Sequence, residues 1–285
     1  MSKLKVALQK NGKLSEKSLQ LLQDCGITFP NGGSKLITEA TNFPVEILFL
    51  RDDDIPKYVE NNIADVGIIG ENIFFETQNQ IKVIEKLGFS QCRLSLAIPK
   101  DVNYPGLSYF QHKKIATSYP NILHRFFEKN GIQANIEIIT GSVEIAPGIG
   151  LADGICDIVS SGSTLFSNGL KEVEKILSSE AVFVANTRLN QEKNKILDKL
   201  LFRIRATIHA KGNKYILLNA PDQALEKIFT ILPGMKSPTV LPLAQKGWSS
   251  VHSVINEDSF WDIIDALKHA GAEGILVIPI EKMIL

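Results

Sequence analysis

Apolar residues recur along the chain at two spacings, and the alternation between them predicts the elements. Short apolar runs at Lys5-Val-Ala-Leu8, Val45 to Leu50 and Ile63 to Gly70 read as strands; polar-apolar stretches with a period near 3.6 between them read as amphipathic helices. The order repeats: Lys114-Ile-Ala-Thr117, a turn and a helix ending at Asn130-Gly131-Ile132 match the first strand, turn and helix ending at Cys25-Gly26-Ile27, with Gly just past each helix. A further strand falls at Ile136 to Ile139, and Ile63-Ala-Asp65-Val-Gly-Ile-Ile-Gly70-Glu-Asn-Ile-Phe74 lies over Ile155-Cys-Asp157-Ile-Val-Ser-Ser-Gly162-Ser-Thr-Leu-Phe166. Each half therefore reads strand, helix, strand, helix, strand, loop, helix. This predicts an α/β protein of two duplicated lobes built on parallel sheets with right-handed crossovers.

Ala181 to Asn186 continues as an apolar strand and Asn190 to Ala206 as a Lys/Glu-rich helix that returns the chain to the first lobe. After Lys211-Gly212-Asn213 the pattern becomes strand (215–219), helix (221–232), strand (239–243), strand (251–255), helix (258–270) and strand (274–279). That βαββαβ order is a ferredoxin-like module. Asn256 is the expected N-cap of its second helix, with Gly271 at the other end. Trp248 and Trp261 are expected in its core. The expected boundaries are a first lobe over 1–99 completed by 183–210, a second lobe over 100–182 and the terminal module over 211–285.

With 285 residues and 44% apolar positions, the chain is long enough to bury more than one core. Lysine plus arginine and aspartate plus glutamate balance at 31 each, so no overall field draws nucleic acid or a membrane surface, and any anion site must be local. Cys25, Cys92 and Cys156 lack metal or disulfide spacing, and the five histidines show no ligand pattern. The opening Met-Ser-Lys-Leu-Lys reads as no export signal, so a cytoplasmic protein is expected.

Ligands of open α/β sheets sit beyond the carboxyl ends of strands, so the loops at 9–13, 51–54, 70–72, 119–121 and 160–164 are expected to converge on one cleft. In Ser160-Ser161-Gly162-Ser163-Thr164 no bulky side chain shields the backbone N–H groups, hydroxyls add donors, and a helix can begin at Leu165-Phe166, as an anion cradle requires. Asp157, at its entry, suits ribose hydroxyls; a turn residue is the alternative. The loop and the acid together fit a phosphoribosyl donor. Gln9-Lys10-Asn11-Gly12-Lys13 suits a pyrophosphate and its metal, or is a solvated basic turn. Arg51 suits a phosphate while Asp52 to Asp54 cap the next helix. Arg93, inside an apolar strand, is either ion-paired or ligand-facing. Glu71 and Glu144 stand at strand ends, where they align an adenine, a ribose or magnesium, or pair with a nearby cation. A two-lobed binding protein that closes on a ligand without chemistry shares this architecture; the phosphate-type turn and the appended module favour an enzyme.

Glu144, Gly150, Ala152, Ile155, Asp157, Ile158 and the closing Ser161-Gly162-Ser163-Thr164-Leu165 fall in register with the signature of the ATP phosphoribosyltransferase family. The resemblance extends through Gln9-Lys10, Arg51 to Pro56, Gly67 to Asn72, Cys92 to Ala97, Ile115 to Pro120, Leu232-Pro-Gly234, Ser237-Pro-Thr239 and Ile278 to Met283, and the tail is similar to the long form. It implies two periplasmic-binding-protein-like lobes plus a ferredoxin-like regulatory domain. It implies transfer of the phosphoribosyl group of phosphoribosyl pyrophosphate to N1 of ATP, with Mg2+ on the phosphates through ligands it does not specify. In that reading Asp157 takes the ribose hydroxyls, Ser160 to Thr164 the 5-phosphate, and Lys10, Lys13 and Arg51 the pyrophosphate or ATP phosphates, with Gln9, Lys35, Glu71, Arg93 and Glu144 as further ATP or pyrophosphate contacts. It also implies histidine as feedback inhibitor near Asn219, Met235, Thr239 and Gly274, a dimer or hexamer, and no need of a separate regulatory subunit.

Overall fold

In a computed structural model describing residues 2–30, 36–232, 234 and 237–285, the chain divides into two units, 1–197 and 198–285. The first contains two sheets. One is built from β1 (Leu4–Gln9), β2 (Ile37–Glu39), β3 (Val45–Leu50), β4 (Val66–Gly70), β5 (Ile81–Lys86) and a strand from far along the chain. The helices between these strands are α1 (Lys13–Asp24), α2 (Ile55–Glu60) and α3 (Glu71–Thr77). The other sheet contains β6 (Cys92–Pro99), β7 (Lys114–Thr117), β8 (Asn135–Ile138), β9 (Gly154–Val159) and β10 (Leu170–Ser179), with α4 (Pro120–Lys129) and α5 (Ser163–Ser167). Strand β11 (Ala181–Asn186) is the late addition to the first sheet, and α6 (Gln191–Ala210) follows it.

The strand orders are β2-β3-β1-β4-β11-β5 and β10-β6-β9-β7-β8. In each sheet three adjacent strands are parallel, β3-β1-β4 inside the first sheet and β8-β7-β9 at one edge of the second, as the repeated βαβ pattern requires. The flanking strands depart from the all-parallel expectation: β11 runs antiparallel to β4 and β5, β6 antiparallel to β9 and β10, and β2 antiparallel to β3. The chain thus crosses from the first sheet to the second between β5 and β6 and returns between β10 and β11. Cys92–Pro99, expected in the first lobe, pairs in the second sheet, antiparallel between β9 and β10.

The internal repeat is real, but its register differs from that read in the sequence. Lys5 N–H donates to Asp65 Oδ2 at 2.8 Å and Asp65 N–H to Lys5 O; Lys114 N–H donates to Asp153 Oδ2 at 2.9 Å and Asp153 N–H to Lys114 O. Val6 pairs with Val66 as Ile115 pairs with Gly154. Asp65 is therefore the counterpart of Asp153, and Asp157 that of Ile69. Four matching letters in one window, with Asp in both, give an alignment four residues away from this one.

Local signals placed most elements. Three helices close with the same Schellman pattern: Ile27 N–H to Leu22 O, Ile132 to Phe127 and Ala272 to Leu267, with Gly26, Gly131 and Gly271 at positive φ. Where the second lobe was expected to have another helix, it has only a 3-10 turn (Val143–Ile145) and further turns. Pro147, without an N–H, and Gly148 and Gly150 stop propagation there. Helix α6 runs to Ala210 and buries Leu197, Leu200, Ile204 and Thr207 along one stripe.

In the second unit, β12 (Asn213–Pro221), α7 (Leu225–Ile231), β13 (Thr239–Pro242), β14 (Trp248–Asn256), α8 (Glu257–His269) and β15 (Glu273–Pro279) form an antiparallel sheet of order β13-β14-β12-β15. This is the ferredoxin-like arrangement that the order of elements predicts. Ile216, Leu218, Val251, Ile228 and Leu267 form its core, and Asn256 Oδ1 accepts from Asp258 N–H as the N-cap. Trp261, expected in that core, is 72% exposed, because α8 turns Phe260 inward instead. Among the described residues, no helix is long and apolar enough to cross a membrane.

Candidate active site

The first lobe contributes two basic strand ends. Because β1 and β3 run parallel with Gln9 opposite Leu50, and Lys10 N–H donates to Leu50 O at 2.8 Å, Lys10 and Arg51 leave the sheet side by side, both exposed. Lys13 is the exposed first residue of α1, and Gly12, at φ 95°, makes the turn before it. Asp52–Asp54 form a 3-10 turn leading into α2, where Pro56 fixes the start. None of the three carboxylates makes a capping bond there, contrary to the capping expectation; the backbone is already helical at Asp54. Burial raises the Asp53 pKa, its neighbour Asp52 raises it further, and Arg51 opposes the shift.

The second lobe contributes the acid and the hydroxyl loop. Asp157 lies on β9, half-buried, with Oδ1 accepting from Ile158 N–H at 2.8 Å. Burial pushes its carboxyl up, and the nearby Glu144 charge adds to this. After β9 the segment Ser160–Thr164 stands at the surface, with Gly162 left-handed at φ 83° and Ser161 Oγ 2.9 Å from Ser163 Oγ. The first turn of α5 leaves N–H groups without helical acceptors. Lys100 fastens the other end of α5, donating to Phe166 O at 2.7 Å with its ammonium 3.4 Å from the Phe166 ring centroid.

Tyr119 is where the lobes meet. Its hydroxyl accepts from Asn72 Nδ2 at 3.2 Å, and burial, followed by Asp157, Asp52 and Asp53, holds it protonated far above the usual phenol range. Acids from both lobes thus face one phenol. Asn72 is fixed in turn: its N–H donates to Ser179 Oγ and its Oδ1 accepts from the same hydroxyl. A Cβ on Gly70 would lie 2.2 Å from that Oδ1, so any other residue there would displace the Asn72 amide. Glu76 of α3 accepts from Asn121 N–H and Ile122 N–H at 2.9 Å each, capping α4 from the opposite lobe, while Arg125 Nη2 donates to Phe75 O at 2.7 Å.

A cavity of about 520 Å³ lies at the strand crossings and brings together Glu71, Lys86, Arg93, Ser160, Lys175 and Glu180. Glu71 is paired with Lys86 at 3.0 Å. Arg93 is paired too: Nε donates to Glu172 Oε1 at 2.6 Å, Nη2 reaches Oε2, and Nη1 donates to Ser160 O at 3.2 Å. Of the sequence candidates, Glu71, Arg93 and Ser160 line this cavity, whereas Lys10, Arg51 and Asp157 do not. Gln9 is half-buried at the end of β1. Lys35 and Met235 lie outside the described residues. In the second unit Gly274, at φ 58°, sits beside Asn219, whose Nδ2 would be 3.4 Å from an added Cβ, and Thr239 opposite His252 is exposed.

Tyr119, Asn72, Glu76 and Glu172 were not singled out from the sequence. One signal existed for Glu76: α4 begins Tyr119-Pro120-Asn121 without a side-chain cap of its own, so its N–H groups needed an acceptor from elsewhere. Glu172 lies in an alternating Lys/Glu strand that reads as a solvated edge, and nothing local distinguishes it.

Two α/β lobes joined by exchanged strands, with an acid and a hydroxyl loop at the strand ends, define a two-lobed α/β protein of the ligand-cleft type, and a ferredoxin-like C-terminal unit follows it. The family profile described as ATP phosphoribosyltransferase matches residues 51–206, and that of its C-terminal domain matches residues 210–282. The chain is 59% identical over 282 residues to the ATP phosphoribosyltransferase of Phocaeicola vulgatus, covering 99% of this chain and 100% of that protein. It is 60% identical over 282 residues to that of Azobacteroides pseudotrichonymphae, with the same coverage. Among solved structures, the ATP phosphoribosyl transferase (HisG:HisZ) complex from Thermotoga maritima is similar at a TM-score of 0.63 and 29% identity, over 72% of this chain and 98% of that one. The chain belongs to the ATP phosphoribosyltransferase family, and is a transferase of histidine biosynthesis.

Proposed function

We propose that the chain transfers the phosphoribosyl group of phosphoribosyl pyrophosphate to N1 of the ATP adenine and releases pyrophosphate. The observation that carries this is the sequence of groups along β9 and its loop: a half-buried acid, then exposed Ser160–Thr164 with Gly162 left-handed. Bond breaking at the sugar runs ahead of attack, so the transition state holds a cationic ribose beside a departing polyanion. The task is placement and charge stabilisation, and no nucleophilic side chain is required. Asp157, ionised, holds the ribose hydroxyls and faces the developing positive charge; the loop N–H groups and hydroxyls hold the 5-phosphate. Lys10, Arg51 and Lys13 receive the pyrophosphate, and Gln9, Lys35, Glu71 and Glu144 are further contacts to ATP or pyrophosphate.

Among the described residues no group of three His, Cys, Asp or Glu side chains is arranged to hold a metal alone. The carboxylates present are hard oxygen donors, and they fit magnesium of the kind that is held by one or two carboxylates and by substrate phosphates. Asp157 and Glu144, close enough to repel, would hold it with the donor; when bound it neutralises charge on the leaving pyrophosphate. The 198–285 unit is proposed to bind histidine near Asn219, Met235, Thr239 and Gly274 and to inhibit by favouring a closed hexamer over an active dimer, in the cytoplasm, without a separate regulatory chain.

The test is pyrophosphate release by the full chain. It is expected only with ATP, phosphoribosyl pyrophosphate and magnesium together, and to fall on titration with histidine. Asp157→Asn is expected to lower kcat by at least about a hundredfold, the scale for losing one transition-state electrostatic group. Full activity in that variant sinks the assignment; activity insensitive to histidine sinks the regulatory reading alone.

A further inference from the structure

Arg93 was expected to be either ion-paired or ligand-facing; it is ion-paired with Glu172, and the geometry of that pair suits a further task. It stands on β6 opposite Val159 of β9 and Ser178 of β10. One edge of its guanidinium, with the Nε and Nη2 donors, is committed to Glu172, which also accepts from Ser95 Oγ at 2.8 Å. A guanidinium is rigid and planar, so fixing two donors fixes the direction of the rest. The remaining Nη1 falls on Ser160 O. The Ser160–Ser161 peptide is trans and planar, so its N–H points opposite to its C=O. Holding the Ser160 carbonyl on the Arg93 side therefore turns Ser161 N–H to the other side of the loop. Both partners are about a third exposed, and such a pair adds little to stability by itself. Arg93, followed by Ser95, holds the Glu172 carboxyl below the usual carboxylate range against the effect of burial, so the pair is intact at neutral pH.

We propose that Arg93 and Glu172 are positioning residues for the 160–164 loop, orienting the Ser160–Ser161 peptide so that its N–H serves the donor's 5-phosphate, and that Arg93 does not itself bind substrate. This rests on the reading of that loop as the 5-phosphate site. Glu172 gives the proposal a test of sign. If Arg93 were a direct phosphate ligand, releasing it from Glu172 would leave binding unchanged or tighten it. If Arg93 acts through the loop, releasing it weakens binding.

The experiment measures phosphoribosyl pyrophosphate binding by calorimetry, together with both Michaelis constants, in the full chain and in Glu172→Gln, Arg93→Gln, Arg93→Lys and the Arg93→Gln/Glu172→Gln double variant. Each single change is expected to raise the Kd and KM of phosphoribosyl pyrophosphate about tenfold, the scale of one charge-assisted hydrogen bond. The KM of ATP should stay within about twofold, and the double variant should be no worse than the poorer single one, because all act through one device. Unchanged or tighter binding in Glu172→Gln with loss in Arg93→Gln makes Arg93 a ligand and overturns the proposal. Equal losses for both substrates with additive effects make the pair merely structural and also overturn it. Should Arg93→Gln fail to fold, Glu172→Gln and Arg93→Lys decide by the same criteria. A wild-type chain that binds phosphoribosyl pyrophosphate, with Ser161→Pro binding it equally well, refutes the loop reading itself.

Discussion

The two lobes share a strand order, the same Lys–Asp backbone exchange at the start of β4 and β9, and the same Schellman closures, yet four residues beyond that exchange one has Ile69 and the other Asp157. Their neighbours differ in the same sense: Ile69 faces Val182 on β11, Asp157 faces Ser95 on β6. Ile69 is fully buried in an apolar cluster with Ile55, Val59 and Val184. Ser95 instead leads to Glu172, Arg93 and the Ser160 carbonyl. One copy of the repeat kept the strand as core. The other opened a polar line from the sheet to the loop, and there the chemistry is proposed to occur.

Transplanting the acid should break this comparison most severely. Ile69→Asp places an unpaired carboxylate among apolar side chains and is expected to cost on the order of 5 kcal/mol, enough to unfold a marginal unit, as urea melts would register. A melt within about 1 kcal/mol of wild type would mean that the position is wetter than its burial implies. The equivalent aspartates sharpen the contrast. Asp65 is buried and held by Lys193 Nζ at 2.8 Å and Lys5 N–H, whereas Asp153 is 40% exposed with Lys113 Nζ at 3.4 Å. Asp65→Ala should cost about 3 kcal/mol, because Lys193 is left unpaired. Asp153→Ala should cost about 1 kcal/mol. Equal costs would erase the asymmetry.

The smallest effect is a gain. Asp157 is raised by burial, so between the unfolded and folded carboxyl pKa values the native state binds more protons, and stability falls as pH rises through that window. Above it the penalty for the charged form is complete. Asp157→Asn removes that penalty, so the variant should melt higher than wild type at neutral pH, with the gap closing as pH falls into the window. A gap that widens on acidification would show that the native site favours the carboxylate.

Much of this was legible in the sequence because it is local. Strand and helix order, glycine closures, the Asn256 cap and the Ser160–Thr164 turn each rest on a few adjacent residues. What was missed is pairing at a distance. The alternating residues of β6 fit either sheet, so nothing local assigns Cys92–Pro99 to the second sheet rather than to the first lobe over 1–99. The repeat was slipped by four because letters were matched, whereas the Lys5–Asp65 and Lys114–Asp153 exchanges that set its register are three-dimensional. Arg93 reads as costly in a strand, but its partner lies 79 residues away in an unremarkable edge. Tyr119 sat in a loop expected to reach the cleft, yet only the packed lobes bring Asn72, Asp52 and Asp157 around it.

The exchange of strands between the lobes also sets the order of events during synthesis. The first sheet closes only when β11 slots between β4 and β5, and its residues emerge from the ribosome after the whole second sheet has been made. Until then Val66–Gly70, destined to be enclosed, has one open edge, the kind of exposed apolar strand that invites stray pairing. The amino-terminal half must therefore wait, unfinished, for the strand that seals it, and a nascent chain halted before residue 181 is the form most in need of a chaperone.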